Sequence, residues 1–237
     1  EFAWRYVPCD ELAGDFLNVF QLDQDHVAMF VVDVSGHGVP SSLLSVTIGR
    51  VLTPDIGETS LLARRLPSGE IVITPPAEVA AELNRRFPME DQGNLYFTMV
   101  YGVLHIPSNT FRYVSAGHNA IAHCRSDQPP YLCPAEGFAI GWMEDVEYDE
   151  HTLELQPGDR IFLYSDGVPE ALDETLQEFD EPRMLRLIDK CRHLSLDETV
   201  ETLSGAVKHW CRVNGPKDDV SILALAIRYQ KHQGHDL

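Results

Sequence analysis

The stretch HVAMFVVDVSGHGVPSSLLSVTIGRVL, residues 26–52, sets the reading of this chain. Its first nine residues, His26 to Val34, are rich in β-branched and other apolar side chains and read as a strand. An acid, Asp33, stands at the end of that run. Gly36 and Gly38 follow, on either side of His37, and allow a tight turn. Pro40 then suits the first turn of a helix that runs on to Leu52. A strand that carries a carboxylate to its end and turns at once into a helix is either a structural corner or a catalytic one.

Segments of the same kind extend both ways from it. FLNVFQLD, residues 16–23, reads as a strand joined to the first through the turn-like Asp23-Gln24-Asp25. Residues 53–72 have mixed polarity with Pro and Gly and read as a long loop. PPAEVAAELNRRF, residues 75–87, reads as a helix, with Val79, Leu83 and Phe87 at i, i+4 and i+8. LYFTMVYGVLHI and TFRYVSAGHNAIAHC are β-rich runs separated by the hairpin signal PSN. YDEHTLELQPGDRIFLYSDGV holds two strands around the turn QPGD. Glu181 to Arg212 reads as helical, and DDVSILALAIRY as a final strand. Both ends contribute strands, with helices between. The pattern predicts one α+β domain over residues 1–237, its mostly antiparallel sheets covered by helices.

The chain carries 37 acids against 18 bases, a net charge of −19. Nucleic acid and anionic membrane both need a positive surface, so neither is expected as a partner. No apolar run approaches the roughly 20 residues of a membrane helix. The N-terminus shows no basic region followed by an apolar core, and so no signal peptide. It begins almost inside a structured-looking segment, as a fragment of a longer protein would. The five cysteines, Cys9, Cys124, Cys133, Cys191 and Cys211, are odd in number and form no C-x-x-C pair. A reducing, cytoplasmic setting follows from that usage.

Four acids recur at one kind of place. Asp15 starts a strand, Asp33 ends one, Asp166 ends another and Asp218 starts the last. In antiparallel pairs the end of one strand lies beside the start of its neighbour, so the four can converge on one edge. Any one of them alone is more often a turn residue. Together they form an all-oxygen set that suits hard cations, Mg²⁺ or Mn²⁺. Two such ions sharing a carboxylate and a water would make a hydrolytic centre.

Six segments carry a resemblance: AGDF, DVSGHGVPSSLL, FTMVYGVL, RYVSAGHN, LYSDGVPEA and KDDVSILAL, in that order and from about residue 4 to 228. They resemble the SpoIIE/RsbU branch of the metal-dependent serine/threonine protein phosphatases, the PPM or type 2C class. The resemblance implies an α-β-β-α sandwich, two antiparallel sheets packed face to face and flanked by helices. It implies a two-ion centre on one edge, held by Asp15, Asp33 as the bridging acid, the Val34 carbonyl, Asp166 and Asp218, with Asp219 the weaker candidate beside it. Asp33 and Asp166 are the acids expected to carry the chemistry. It further implies hydrolysis of phosphoserine or phosphothreonine on a regulatory protein, an anti-sigma-factor antagonist, by a metal-bridging hydroxide. The chain would be the output domain behind an N-terminal sensor or receiver domain, with room for a homodimer and with covering helices that respond to the regulatory domain.

The chain departs from the pattern in places. Asn18 stands where many relatives have an acid. The arginine that grips phosphate in the eukaryotic branch has no convincing counterpart, Arg5 being a weak candidate. His37 and His118 are expected to tie loops rather than move protons, and Ser35 and Ser165 to hydrogen-bond the neighbouring acids. No C-x₅-R loop, G-x-S-x-G elbow or G-x₄-G-K-[ST] loop occurs. Two other readings share these residues: a catalytically silent binding module with the same fold, and a hydrolase of small phosphoesters.

Overall fold

The computed structural model describes residues 1–9, 13–36, 38–54, 60–212 and 215–229. The strands are β1 (Phe2–Val7), β2 (Phe16–Gln21), β3 (His26–Val34), β4 (Ala63–Arg65), β5 (Ile71–Ile73), β6 (Phe97–His105), β7 (Thr110–Ala116), β8 (Ala122–Cys124), β9 (Tyr131–Leu132), β10 (His151–Glu154), β11 (Arg160–Tyr164) and β12 (Val220–Ala226). The helices are α1 (Val39–Val51), α2 (Pro76–Arg86), α3 (Glu181–Lys190) and α4 (Leu196–Cys211).

Two five-stranded sheets form, in the orders β10-β7-β6-β3-β2 and β1-β12-β11-β8-β9, with antiparallel pairing throughout. Three apolar layers hold them. Met29, Val31, Val100, Leu163, Leu223 and Leu225 meet between the sheets. Phe30, Val32, Met99 and Tyr101, on the opposite face of the first sheet, pack against Leu44 and Ile48 of α1 and Val79 and Leu83 of α2. Phe162, Ile222 and Ala224, on the outer face of the second, pack against Met184 and Ile188 of α3 and Val200 and Leu203 of α4. The period of two along each strand creates these layers, because successive residues face opposite sides. Each large side chain fully buried there contributes about 1.5–3 kcal/mol. The arrangement is the α-β-β-α sandwich expected from the sequence.

Local chemistry explains the helix ends. Gly36 and Gly38 have φ of 79° and 85°, a left-handed conformation that lets the chain leave β3 and enter α1. The side chain of Asp180 caps α3 by accepting from Arg183 N at 2.7 Å. Ser195 and Glu198 form a reciprocal capping box on α4, which splits the single predicted helical stretch in two.

The structure corrects the sequence reading in two places here. Residues 53–72 are not simply loop: β4 and β5 pair as a small hairpin. The run 110–124 does not stay in one sheet, since β7 lies in the first and β8 in the second. The two strands read around QPGD are present as β10 and β11, and that turn also carries the chain from one sheet to the other. Among the described residues, no helix is long and apolar enough to cross a membrane.

Candidate metal centre

The inter-sheet rows set the site. Leu17 and Val31 belong to the layer between the sheets, and two residues along each strand the same face reaches Asp15 and Asp33. In the second sheet the rows of Leu163 and Leu223 reach Ser165 and Ser221. One end of the apolar layer thus gives way to polar groups. Register places them together: Phe16 pairs with Val32, so Asp15 comes opposite Asp33 just past the last pair. The strands β11 and β12 pair antiparallel, so the end of one, leading to Asp166, lies beside the start of the other, preceded by Asp218. A hydrogen bond closes the gap between sheets, with Ser221 Oγ donating to Asp15 Oδ2 at 2.7 Å.

The electrostatics are those of carboxylates crowded away from water. Burial, then the charge of Asp33, pushes Asp15 up to about 9, and the hydroxyls of Ser221 and Ser165 pull the other way. Burial, then the charge of Asp218, raises Asp33 to about 6, while a hydrogen bond with Asp15 lowers it. Crowding and burial raise both acids, so the pair holds on to a proton that separated carboxyls would release. Burial, then Asp33 and Asp218, raises Asp166 to about 7. Glu170, which the sequence reading passed over, adds its charge to both Asp33 and Asp166. Its N–H donates to the Asp166 carbonyl at 2.9 Å, so the turn itself brings it there.

One backbone carbonyl faces the same edge. Phe97 exchanges both its hydrogen bonds with Ile140, on the side away from β3. Val34, opposite Phe97, therefore turns its own carbonyl toward β2. Pairing with β2 has ended there, and a Cβ on Gly14 would stand 2.8 Å from that oxygen. Glycine at position 14 lets the Asp15 loop pass close to the Val34 carbonyl.

That loop is clamped from two sides. Asp219, buried, accepts from Cys9 N at 2.8 Å on one oxygen and from Gly14 N and Asp15 N at 3.1 and 3.3 Å on the other. Ser42 Oγ donates to Ala13 O at 2.9 Å, and Ser45 Oγ donates to Gly14 O. Asp219 thus spends its oxygens on the backbone, while the side chain of Asp218 is exposed. The α1 serines are a departure from the expected apolar cover: α1 buries Ser41 and Ser45 beside Leu44 and Ile48 and leaves Val39, Leu43 and Val46 in solvent.

The remaining predicted residues fall as follows. Ser165 does not bond its neighbour Asp166: its hydroxyl donates to the Asp219 carbonyl at 3.0 Å and accepts from Ser221 N at 3.0 Å, and it lies within reach of Asp15 instead. Ser35 does not touch an acid; its hydroxyl accepts from Tyr96 N at 3.0 Å. His118 ties its crossing loop to β6, its Nδ1 lying 2.7 Å from Thr98 Oγ1, and burial pushes it down to about 4, leaving it neutral at pH 7. Arg5 is no phosphate grip: its guanidinium pairs with Asp197 and Glu201 of α4. His37 lies outside the described residues. Asp166, Gly167, Glu170, Lys217 and Asp218 line a recess of about 190 Å³. Larger cavities exist elsewhere, but this one is lined by two of the four predicted acids, Asp166 and Asp218.

The donor set is all oxygen, carries excess negative charge and offers one backbone carbonyl, which fits hard divalent cations. The acids meet in pairs: among the described residues no group of three or more His, Cys, Asp or Glu side chains is closed up as a metal cage.

Comparison with known proteins agrees with the fold. The family profile of Stage II sporulation protein E (SpoIIE) matches residues 23–228. Phosphoserine phosphatase RsbU of Bacillus subtilis is 27% identical over 198 residues, covering 83% of this chain and 54% of RsbU. The chain spans about half, or less, of the length of the curated relatives it matches. The SiaA-PP2C domain of Pseudomonas aeruginosa superposes with a TM-score of 0.76 at 19% identity, over 96% of this chain and 85% of that one. RsbX in complex with magnesium superposes at 0.63 and 16% identity, over 94% and 92%.

Proposed function

The chain belongs to the SpoIIE family, and on that premise we propose that residues 1–237 form a single metal-dependent phosphatase domain acting on phosphoserine or phosphothreonine of a regulatory protein, an anti-sigma-factor antagonist. The observation that carries the reading is the gathering of Asp15, Asp33, Asp166 and Asp218 from four strand ends onto one edge, with three of their pKa values raised. A dianionic phosphate is repelled by such a cluster unless cations neutralise it first. RsbX, which shares the fold, is known in complex with magnesium, and RsbU is a phosphoserine phosphatase. Both support the assignment.

Asp15, Asp33, Asp166, Asp218 and the Val34 carbonyl would hold two Mg²⁺ or Mn²⁺ ions. When bound, those ions supply the activated water and the positive charge that the phosphoryl oxygens need. Asp33, which feels acids of both sheets, is the natural shared ligand. Asp219, Ser42 and Ser45 fix the Asp15 loop, and Lys217 at the recess meets the incoming phosphate with a positive charge. The exposed Val39, Leu43 and Val46 on α1 offer an apolar face to a regulatory domain preceding this one in a cytoplasmic signalling protein.

The test is Mn²⁺-dependent phosphate release from a phosphoserine protein and from an aryl phosphate, for wild type and Asp33→Asn. The reading expects release from both by wild type and a loss of at least about a hundredfold in the variant. No release with any divalent ion would leave a silent docking module. Turnover of the aryl phosphate alone would point to a small-phosphoester hydrolase.

A further inference from the structure

A second site stands at the opposite end of β3. His26 opens that strand, and Asp33 follows seven residues later, about 23 Å away at the rise of a strand. His26 pairs with His105 on β6, which pairs with Thr110 on β7, so the three form one cross-strand row. The row faces the helix side of the sheet, because Val103, one step along the same face, belongs to that layer. It forms one wall of a cavity of about 360 Å³ that Ile73, Thr74 and Pro76 also line.

The two imidazoles are held in a particular way. Their ring centroids lie 4.9 Å apart. His26 Nδ1 lies 2.9 Å from both oxygens of Asp23, so Nδ1 carries the proton donated to that carboxylate. His105 Nδ1 lies 2.7 Å from Ser108 Oγ, which in turn lies 2.7 Å from Thr110 Oγ1. Each ring thus spends Nδ1 on an orienting partner and keeps Nε2. A histidine whose far nitrogen is fixed by a carboxylate is the usual preparation of a metal ligand. Arg112 lines the same cavity, but its guanidinium is paired with Glu150, its Nε 2.6 Å from Oε1, so it does not set an uncompensated charge against a cation.

We propose that this cavity binds one imidazole-preferring transition-metal cation, of the Zn²⁺, Ni²⁺ or Cu²⁺ class, through Nε2 of His26 and His105. Among the described residues no third His, Cys, Asp or Glu completes the set, so water and the neighbouring hydroxyls take the other positions. The site differs from the acid cluster in ligand type, nitrogen against oxygen, and so selects different ions. It is independent of the phosphatase reading.

The experiment is titration of Ni²⁺ into the full chain in excess Mg²⁺, in a His232→Gln/His235→Gln background that removes the imidazoles near the C-terminus. One Ni²⁺ per chain is expected. His26→Gln and His105→Gln should each weaken binding by roughly tenfold or more, and Asp23→Asn, which leaves both rings in place, by about tenfold. Cu²⁺ bound to the same background chain should show electron-paramagnetic hyperfine coupling from two imidazole nitrogens, a readout that needs no further variant. Ni²⁺ uptake that survives both histidine substitutions, or that disappears in Asp33→Asn, overturns the proposal. So does a Cu²⁺ spectrum without imidazole nitrogen.

Discussion

Removing the Asp219 carboxylate tests whether the loop bearing Asp15 is held by a buried backbone clamp. In Asp219→Ala three N–H groups lose their acceptor: Gly14 and Asp15 in buried surroundings, Cys9 partly in reach of water. A buried donor left unpaired costs about 1–3 kcal/mol. The Asp15 bond is long and shares its oxygen with that of Gly14, so the three together amount to about 3 kcal/mol. Against this, the charge of Asp219 also burdens Asp15 and Asp33, and its removal relieves that repulsion. Crediting about 1 kcal/mol to the relief leaves a net loss of about 2 kcal/mol. For a chain of this size that is about 4–8 °C in Tm. The assay is a thermal melt with EDTA, followed by a Mn²⁺ titration of activity. Asp219→Ala should melt lower and need more Mn²⁺, because Asp15 is no longer held. The exposed Asp218 gives the contrast: Asp218→Asn should lose activity without melting lower. An Asp219→Ala protein that melts within about 1 °C of wild type and keeps its Mn²⁺ requirement would refute the clamp.

Three further outcomes follow from the same geometry. The acids Asp33, Asp166 and Asp15 sit at about 6, 7 and 9 in the fold against an ordinary 3.8, so the folded chain keeps protons that the unfolded chain has released. Their contribution is present below about pH 4 and is lost as pH rises through about 6, 7 and 9, so melts in EDTA should fall between pH 6 and 9 while melts in Mn²⁺ hold up; a chelated protein that grows more stable over that range would contradict the retained protons. Asp33→Asn removes a charge from the cluster and should raise Tm in EDTA by a few degrees even as it abolishes turnover; a lower Tm would show that repulsion is not what the cluster stores. Gly14→Ala sets a Cβ 2.8 Å from the Val34 oxygen and should cost about 1–3 kcal/mol along with Mn²⁺ affinity; wild-type behaviour in urea and metal titrations would mean the loop has room to spare.

Much of this molecule was legible before any coordinate. The apolar, β-rich character of FLNVFQ and HVAMFVVDV is a local property, and it marked both strands; the face on which Asp15 and Asp33 stand followed only from the pairing and the packed layers. Glycines at 36 and 38 announced the corner, since a left-handed backbone is cheap only there. The acids at strand ends were visible as local features too, as were the three helical regions.

What stayed hidden was everything that depends on which segments meet. Alternation does not name a partner strand, so β7 and β8 read as one run and prove to belong to different sheets. Asp218 and Asp219 are adjacent and chemically identical, and only the approach of residues 9, 14 and 15 turns the second toward the backbone. Nothing in the sequence singles out Ser42 and Ser45; the Asp15 loop that lies across them gives them their role. Arg5 was a candidate for phosphate until α4 supplied Asp197 and Glu201. Backbone conformation and facing are written in neighbouring residues. The charge that a side chain feels, and the partner that consumes it, are set by contacts between segments as far as 210 positions apart, which only the packed chain creates.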